Sequence, residues 1–586
     1  MSPVMLCERG LLRQERDRYV LDRALPSLAI PTSLHASLLA RFDRLTSVRL
    51  VAQIGAAIGR EFSFALVRAV SRLSESELET ALARLVASEL VFQRGTPPNA
   101  VYSFKHALVQ DAAHASLLRS NRQQLHAQIA EALETLFPEL MENQPELFAH
   151  HYAEARLVEK SVSYWSKAGH RSAARSTMAE AAAQLRKGLD QLALLPETPE
   201  RQRQKLEFWT ALGAALNAVK GAAAPETGRA YASARELWER LGSPSEFFGV
   251  PYAQSRYHST RGEFKWAMLL DEDLLRLSLE RNDCAGLVLG HLASGRNLLM
   301  IGRLAPSRSH LEEALALHDP TSHRAVVRQA GLHPHVNAQL SLGFALFLLG
   351  FPDQALAQIT AAISEARRLV HPPSLASSLA VGSILLSLLR DHAVLDEWVA
   401  QLVALATEQG FPHWSAQGRI YHGWVKVNTG DVAAGISLLR SGQDAFCATG
   451  AKLLLPHYMG LLATACEIAG RMEEAISLLD DALQIVEWTG ERWLEADLHR
   501  LKGQMLLRQG RSEAAEELYC RALDIAKEQE AKLWELRAAV SLGRLRRDQG
   551  RRAEARDLLA PIYGWFTEGF DTRDLKEAKT LLDKLS

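Results

Sequence analysis

The sequence has few cysteines, and none of them are paired at short spacing. Only five occur in 586 residues, and there is no C-x-x-C pair. A disulfide framework or a structural zinc site needs closely spaced cysteines, so the sequence argues against both. Scattered cysteines are typical of a reducing compartment, and we expect a cytoplasmic protein. The five are Cys7, Cys284, Cys447, Cys466 and Cys520.

Long apolar runs and an excess of one charge are also missing. The longest mostly apolar run, ASSLAVGSILLSLL (Ala376–Leu389), has 14 residues, whereas a membrane span needs about 20. This run therefore predicts a buried helix, and we expect no membrane partner. The 67 basic and 68 acidic residues give a net charge of −1, so the chain as a whole is not attracted to nucleic acid.

A glycine recurs before an amphipathic helical pattern through the second half of the chain. Most steps are 40 residues, one is two periods long and has Arg390 at its middle, and one is extended within His318–His335. The spacing predicts a repeated helical pair in which glycine ends the first helix of each pair, because glycine accepts the left-handed conformation. The series is Gly262, Gly302, Gly350, Gly430, Gly470, Gly510 and Gly550.

The segment LHRLKGQMLLRQGRSEAAEELYCRALDIA (Leu498–Ala526) shows one such pair, with small residues where two helices approach and large ones beside them. A single pair cannot bury its apolar face, so several must stack. The pattern resembles the tetratricopeptide repeat in a variant longer than its usual length of about 34 residues. We predict one α-solenoid of about ten helical pairs over residues 157–586. As domains, residues 141–250 hold transitional helices with the first repeat-like pairs, and residues 251–586 hold the regular tetratricopeptide-like repeats.

Residues 32–140 do not share this period. Helical patterns lead to two short β-like runs, LVFQR and AVYSF, which are joined by GTPPN and followed by the helical FKHALVQDAAHASLL. Ser74 and Glu77 form a capping-box signature before the third helix. This order is typical of a winged-helix domain. The predicted fold is therefore mainly α, with a winged-helix domain followed by an α-solenoid of tetratricopeptide-like pairs.

A winged helix raises the possibility of DNA binding. Residues 1–150 contain 16 Lys/Arg and 16 Asp/Glu, and the third helix begins with Glu75, Glu77 and Glu79 against a single Arg84. A DNA-binding surface is expected to be basic. We therefore do not expect nucleic acid as a partner, and a DNA-binding transcription regulator is kept only as an alternative.

Three segments carry a family resemblance: IPTSLHASLLARFDRL, VAQIGAAIGREFSFALVRAV and YSFKHALVQDAAHASLLRSNRQQLHAQIAEALE. They resemble the winged-helix region of bacterial STAND-type signalling ATPases, above all of those fused to class III adenylate/guanylate cyclases and ending in tetratricopeptide repeats. Residues 1–31 resemble the connector at the end of the ATPase module. The resemblance implies a signal-transduction role, with a cyclase or ATPase module as a partner.

The catalytic parts of that family do not occur in the sequence. There is no G-x-x-x-x-G-K-[ST] phosphate loop and no cyclase domain before the winged helix. We therefore expect a non-enzymatic regulatory module with no catalytic residues and no cofactor, which meets ATP or ADP only where an ATPase module supplies it. The alternative is a fragment or shortened form of an ATP-binding cyclase or ATPase.

His106 is the candidate nucleotide contact. The segment KHALVQDAA resembles the Met-His-Asp motif of related nucleotide-binding modules, although Ala107 replaces the aspartate. The resemblance implies that the His106 imidazole donates a hydrogen bond to a phosphate oxygen. His106 and His114 would lie about 12 Å apart along a helix, too far to share a zinc ion, so no metal is expected.

The inner face of the solenoid is the predicted partner-binding surface. In tetratricopeptide repeats the first helix of each pair lines the concave groove, and arginines there suit the carboxylates of a peptide or protein partner. In the register of this sequence the groove positions are Arg256, Arg296, Asn337, Phe344, Trp424, His457, Arg500, Gln504 and Arg544.

Overall fold

The computed structural model describes residues 46–319 and 331–585, together with strands β1 (Leu12–Glu15) and β2 (Arg18–Leu21), which pair antiparallel. Residues 33–45, at the start of the predicted winged-helix domain, and most of the predicted connector lie outside the described residues. The chain divides into two compact units, Met1–Trp165 and Ser166–Ser586.

The first unit contains a small three-stranded sheet with helices around it. The sheet is antiparallel with the order β3-β5-β4, and the hairpin β4–β5 is the predicted one. The capping box is also present, because Ser74 Oγ accepts the N–H of Glu77 and the Glu77 carboxylate accepts the N–H of Ser74. The elements are α1 (Thr46–Ile58), β3 (Glu61–Ser63), α2 (Phe64–Val70), α3 (Glu75–Ala87), β4 (Val91–Arg94) and β5 (Val101–Phe104).

The core of this unit forms where α1 packs on the sheet. Phe62 on β3 stacks on Tyr102 of β5 with ring centroids 5.7 Å apart. The Phe62 ring also fills the space beside Gly55, where a Cβ atom would lie 2.6 Å from it. Five further helices follow: α4 (Ala107–Ala115), α5 (Arg119–Leu136), α6 (Glu139–Asn143), α7 (Pro145–Glu154) and α8 (Val158–Ala174), the last crossing into the second unit.

The second unit is an α-solenoid, as predicted. From α10 onward the described helices alternate as pairs, each helix packing on its successor, and α28 closes the series. The pairs are α10/α11 (Pro199–Lys220, Pro225–Arg240), α12/α13 (Gly249–Thr260, Phe264–Glu280), α14/α15 (Cys284–Met300, Leu304–Ala316), α16/α17 (Pro334–Leu348, Pro352–Arg368), α18/α19 (Pro372–Leu389, His392–Gln409), α20/α21 (Pro412–Asn428, Val432–Ala448), α22/α23 (Leu455–Ile468, Met472–Thr489), α24/α25 (Glu495–Arg508, Ser512–Glu528) and α26/α27 (Lys532–Asp548, Arg552–Gly564), preceded by α9 (Met178–Leu192) and followed by α28 (Arg573–Leu585).

The recurring glycines end the first helix of each pair in the left-handed conformation, as the period predicts. All seven have positive φ, and Arg390 at the position without glycine has φ 61°. A second series ends the other helix of some pairs about half a period later, at Gly410, Gly450 and Gly490. Residues in the left-handed conformation therefore end both helices of the repeating unit in these pairs.

Successive turns of the solenoid are hydrogen-bonded to each other. The carbonyl of Thr260 at the end of α12 accepts the N–H groups of Lys452 and Leu453 at 2.9 and 3.1 Å. The carbonyl of Met300 at the end of α14 accepts those of Arg492 and Trp493 at 2.8 and 3.1 Å. Both contacts join positions 192 residues apart, so the solenoid winds back onto itself after nearly five pairs.

The glycines of the period fall into two groups because of this winding. A Cβ atom at Gly350 would lie 2.7 Å from the Trp565 ring, and at Gly302 it would lie 2.7 Å from Gln529. At Gly510 and Gly550 it would meet nothing within 4 Å. Glycine at the earlier positions therefore serves both the left-handed turn and the close approach of the next turn of the solenoid.

Helix α18 contains the longest apolar run. Among the described residues it is the one helix whose length and composition would allow it to cross a membrane, and 72% of it is buried inside the protein. It packs against α17, α19 and α20. Its apolar character is accounted for by burial in the solenoid.

Glu491 lies buried in the loop that joins two turns. Its carboxylate accepts the N–H of Leu454 at 3.0 Å and Nε1–H of Trp493 at 2.9 Å. Burial raises the pKa of Glu491 to about 8, although the hydrogen bonds from Trp493 and Leu454 act in the opposite direction. The folded protein therefore holds a proton on Glu491 over a pH range in which the unfolded chain has lost it.

Replacing Gly350 by alanine should destabilise the solenoid more than the same change at Gly550. Both variants place a Cβ atom at positive φ, which costs about 1–2 kcal/mol. Only Gly350→Ala also forces that atom against Trp565 and Lys532, which adds about 1–3 kcal/mol. Urea unfolding followed by circular dichroism measures both, and equal losses would contradict close contact between the turns.

Glu491→Gln should alter how stability depends on pH. The contribution of Glu491 to wild-type stability falls as pH rises from about 4.5 to about 8, by at most about 1.4 kcal/mol per pH unit, because the unfolded state releases the Glu491 proton first. The variant lacks this loss, so its stability relative to wild type should rise between pH 5 and pH 8. Exposed Glu487→Gln is the control, and parallel curves for Glu491→Gln and wild type would show the interpretation to be wrong.

Candidate functional site

The nine predicted partner-binding residues gather around two cavities of the solenoid. The closed cavity is lined by Arg256, Arg296, Asn337 and Phe344, among others. The open cavity is lined by the other five, which are Trp424, His457, Arg500, Gln504 and Arg544. Each residue lies on the first helix of its pair.

The prediction of an open groove is wrong for four of these residues. Asn337, Phe344, Trp424 and His457 are all buried. The reason is the winding, which brings inner helices of successive turns together, so that the Phe344 ring packs edge-on against Trp493 with centroids 4.9 Å apart. The inner face is an interior with cavities rather than a continuous exposed groove.

The closed cavity has a volume of about 140 Å³. Every described residue that lines it is buried or half-buried. Its polar lining groups include the two arginines and Asn337, whose amide donates to the Tyr252 hydroxyl at 3.1 Å. The apolar part of its wall includes Leu340, Phe344, Ile384, Trp414, Phe446 and Leu454.

The two arginines of the closed cavity influence each other. Arg296 donates to Ser259 Oγ at 2.5 Å. Burial lowers the pKa of Arg296 to about 10, and the nearby charge of Arg256 acts in the same direction. Asp271 is a carboxyl group close enough to act on Arg296, but burial raises its own pKa to about 7. Asp271 is therefore only partly ionised at neutral pH.

The open cavity is larger and rich in charge. Its volume is about 370 Å³, and it reaches the surface beside Asn428, Ile468, Arg544 and Arg573. Among the described residues that line it are five arginines and three carboxylates: Arg390, Arg500, Arg537, Arg544, Arg573, Asp497, Asp574 and Glu577. The cavity thus carries an excess of positive charge.

A buried ion-pair network forms one wall of the open cavity. Asp574 on α28 accepts from Arg537 at 2.8 Å and from Arg390 at 2.6 Å. Burial on its own would raise the pKa of Asp574, but Arg537 and Arg390 together hold it below its usual value. Asp497 accepts from Arg500 at 2.6 Å. The network joins helices that are far apart in sequence.

Three arginines of the open cavity share one carboxylate, that of Glu577. Its carboxylate contacts Arg390 at 3.0 Å, Arg573 at 2.9 Å and Arg544 at 3.1 Å. Of the other predicted residues, Gln504 donates to Glu467 at 3.1 Å. Burial lowers the pKa of His457 to about 4, so this imidazole is neutral at pH 7.

His106 belongs to the first unit, whereas the residues that line both cavities belong to the second. It is the N-cap of α4, it is exposed, and its side chain makes no capping hydrogen bond. Asp111 on the same helix is also exposed. A phosphate contact by His106 stays a prediction, which would need a nucleotide held by other residues.

Sequence reasoning missed Arg390, Arg537 and Asp574 as a cluster. Arg390 carried a usable signal, because it replaces glycine at a left-handed position and such a substitution needs a compensating contact. A buried pair, His126 and His151, was also missed, with the Nδ1 atoms 2.8 Å apart. In the described part of the chain, no group of three His, Cys, Asp or Glu side chains is arranged to hold a metal ion.

The fold and the repeat define a tetratricopeptide-type α-solenoid, a class of protein-interaction module. Residues 455–528 match the tetratricopeptide repeat family. The chain is also similar to the uncharacterized protein R02095 of Rhizobium meliloti (strain 1021), at 26% identity over 517 residues, 86% of this chain and 49% of that protein. The chain therefore spans about half the length of the curated relative it matches.

Three solved structures are similar at low identity. The Rap protein complexed with competence and sporulation factor has a TM-score of 0.44 at 13% identity, covering 63% of this chain and 98% of that one. The APC/C hetero-tetramer Cut9-Hcn1 has 0.41 at 12%, covering 88% and 96%. Yeast Tom70 has 0.30 at 11%, covering 78% and 96%.

Asp574→Asn should strongly destabilise the solenoid. The change removes the charge that Arg537 and Arg390 share, and breaking a buried ion pair typically costs about 3–5 kcal/mol. Asp571→Asn, two residues before α28 and fully exposed, is the matched control and should leave the urea midpoint unchanged. Equal midpoints for the two variants would show that the network is dispensable.

Proposed function

We propose that this chain is a non-enzymatic regulatory and protein-interaction module of a STAND/cyclase-type signal-transduction system. The tetratricopeptide match supports the interaction role, and the family resemblance of the first unit supports the signalling context. In this proposal the solenoid binds a partner, and the partner module carries the ATPase or cyclase chemistry.

The element order of the first unit supports a winged-helix domain. Helix α1 leads into β3, then α2 and α3, and the hairpin β4–β5 returns to pair with β3. The start of α3 is acidic and exposed at Glu75, Glu77 and Glu79. An acidic surface on this helix favours a protein contact over DNA, because a phosphate backbone requires basic side chains.

The open cavity is the observation that carries the proposal. Its mouth exposes Arg544 and Arg573, and its five arginines share three lining carboxylates. An arginine that shares its carboxylate retains N–H donors for another one. We therefore assign the open cavity to an acidic segment of the partner, with aspartate or glutamate side chains, or a chain terminus, entering between the two turns.

Nucleotide enters this proposal only through the partner. The sequence has no phosphate loop, and His106 is exposed at a helix start. A histidine there is accessible to a phosphate that another module holds. The proposal thus assigns His106 as a contact across the interface and assigns no nucleotide binding to the chain alone.

Isothermal titration calorimetry tests the proposal with the whole chain and a purified STAND-type ATPase module. The chain alone should give no binding heat with ATP or ADP, and the module should bind the chain. Arg544→Glu combined with Arg573→Glu should weaken that binding at least tenfold, because it reverses charge at the mouth of the open cavity.

Arg556→Glu is the matched control, since it makes the same charge change at an exposed position of α27, a helix that does not line the open cavity. It should leave the affinity unchanged. Tight ATP or ADP binding by the chain alone would contradict the proposal, and so would equal weakening by Arg556→Glu.

A further inference from the structure

A second basic surface adjoins the mouth of the open cavity. It is a groove between α26 and α28, two helices that pack against each other. Leu581 of α28 forms part of its floor, since a Cβ atom at Gly543 of α26 would lie 3.3 Å from the Leu581 side chain. We call this surface the basic groove after the residues that line it, which include Arg544, Arg547, Arg573, Lys576 and Lys584.

The basic groove has an excess of positive charge even when its ion pairs are counted. Its lining contains five basic residues and two carboxylates, Asp571 and Glu577. Lys576 contacts Asp571 at 3.3 Å, but Asp571 is fully exposed, so this pair is weak and easily exchanged for another. Arg547 contacts Asp548 at 2.7 Å, and Glu577 is shared by several arginines. The surface therefore attracts a negatively charged ligand.

The basic groove and the open cavity form one continuous surface. Arg544, Arg573 and Glu577 line both of them. A segment that places one acidic side chain at the mouth of the open cavity therefore reaches the basic groove without leaving the protein surface.

Helix α28 presents a regular row of polar side chains along the basic groove. Arg573, Lys576, Thr580 and Lys584 line it at steps of three and four residues, which is the spacing of one helix face. This row is about 16 Å long at a rise of about 1.5 Å per residue. An extended peptide covers that length in about five residues, and every second side chain points to the same side. Acidic side chains at alternate positions would recur about every 7 Å, close to the helix turn of about 5.4 Å.

An acidic peptide fits the basic groove better than nucleic acid does. Among the described residues that line the groove, none is aromatic, whereas single-stranded nucleic acid is bound largely by stacking of bases on aromatic side chains. The two carboxylates in the groove would also repel a continuous row of phosphates. Separate acidic side chains of a peptide can lie between those carboxylates.

We propose that the basic groove binds the continuation of the acidic partner segment. The segment is extended over about five residues and has aspartate or glutamate at alternate positions, which face Arg547, Lys576 and Lys584. This inference rests on the proposed function, in which the open cavity takes an acidic segment of the partner. It adds a second contact surface and a sequence pattern for the partner.

Fluorescence anisotropy of the whole chain with two labelled peptides tests this inference. The fully acidic peptide has six Glu-Gly repeats, and the half-acidic peptide has the same length with glutamine in place of its last three glutamates. The fully acidic peptide should bind about tenfold more tightly, because several exposed ion pairs act together although each is weak. The ratio of the two affinities should fall as the salt concentration rises.

Two double variants locate the effect. Lys576→Gln combined with Lys584→Gln removes two charges that line the basic groove and not the open cavity. It should reduce the affinity ratio to below about threefold and leave the half-acidic peptide bound as in wild type. Lys579→Gln combined with Arg556→Gln is the matched control, because it removes the same charge at exposed positions outside both surfaces. This control should keep the ratio of wild type.

The outcomes separate this inference from the proposed function. Equal affinities of wild type for the two peptides, or the same loss in the control variant, would overturn the role of the basic groove and leave the open cavity as the acidic site. Failure of both peptides to bind would overturn the assignment of the open cavity as well. Tighter binding of a twelve-nucleotide oligothymidylate than of the fully acidic peptide would indicate a nucleic-acid surface and overturn the inference.

Discussion

The hydrogen bonds between successive turns of the solenoid are the constraint from which its other features follow. A carbonyl at the end of a helix has no partner within that helix and must find a donor elsewhere. Thr260 and Met300 find theirs 192 residues further along the chain, in the loops that precede α22 and α24. These hydrogen bonds form a seam between the turns, and the seam removes the space that an open superhelix would leave there. The inner face becomes an interior, and the places where its side chains do not fill that interior are the two cavities.

The repeat itself could be predicted because its determinants are local. Glycine at a left-handed turn and small residues at a helix crossing recur at a fixed spacing that one sequence is enough to reveal. The winding could not be predicted in this way, since it depends on a small rotation per repeat that accumulates over nearly five pairs. The sequence did contain traces of it. Gly350 needs to be glycine for a reason that Gly550 does not share, and Arg390 interrupts the series because its side chain reaches Asp574.

The sequence was enough to predict which residues face the inner side of the solenoid. It was not enough to predict whether those residues are exposed or buried. Periodicity assigns residues to the inner side of a helix, and all nine candidates line a cavity there. Whether such a position is open or buried depends on what lies opposite, which is another turn of the chain. For the same reason the Arg390–Asp574 pair could not be inferred, because only the winding brings α28 beside Arg390, 184 residues earlier in the chain.

The two cavities differ in the charged residues that line them, and both lie at the seam between turns. In the open cavity the arginines hold carboxylates of the protein and have donors to spare, so its charge is arranged before any partner arrives. The closed cavity has two arginines and no Asp or Glu among the described residues that line it. A partner that binds the open cavity only in the wound form stabilises that form by mass action. By linkage, whatever stabilises the seam between the turns tightens partner binding in turn.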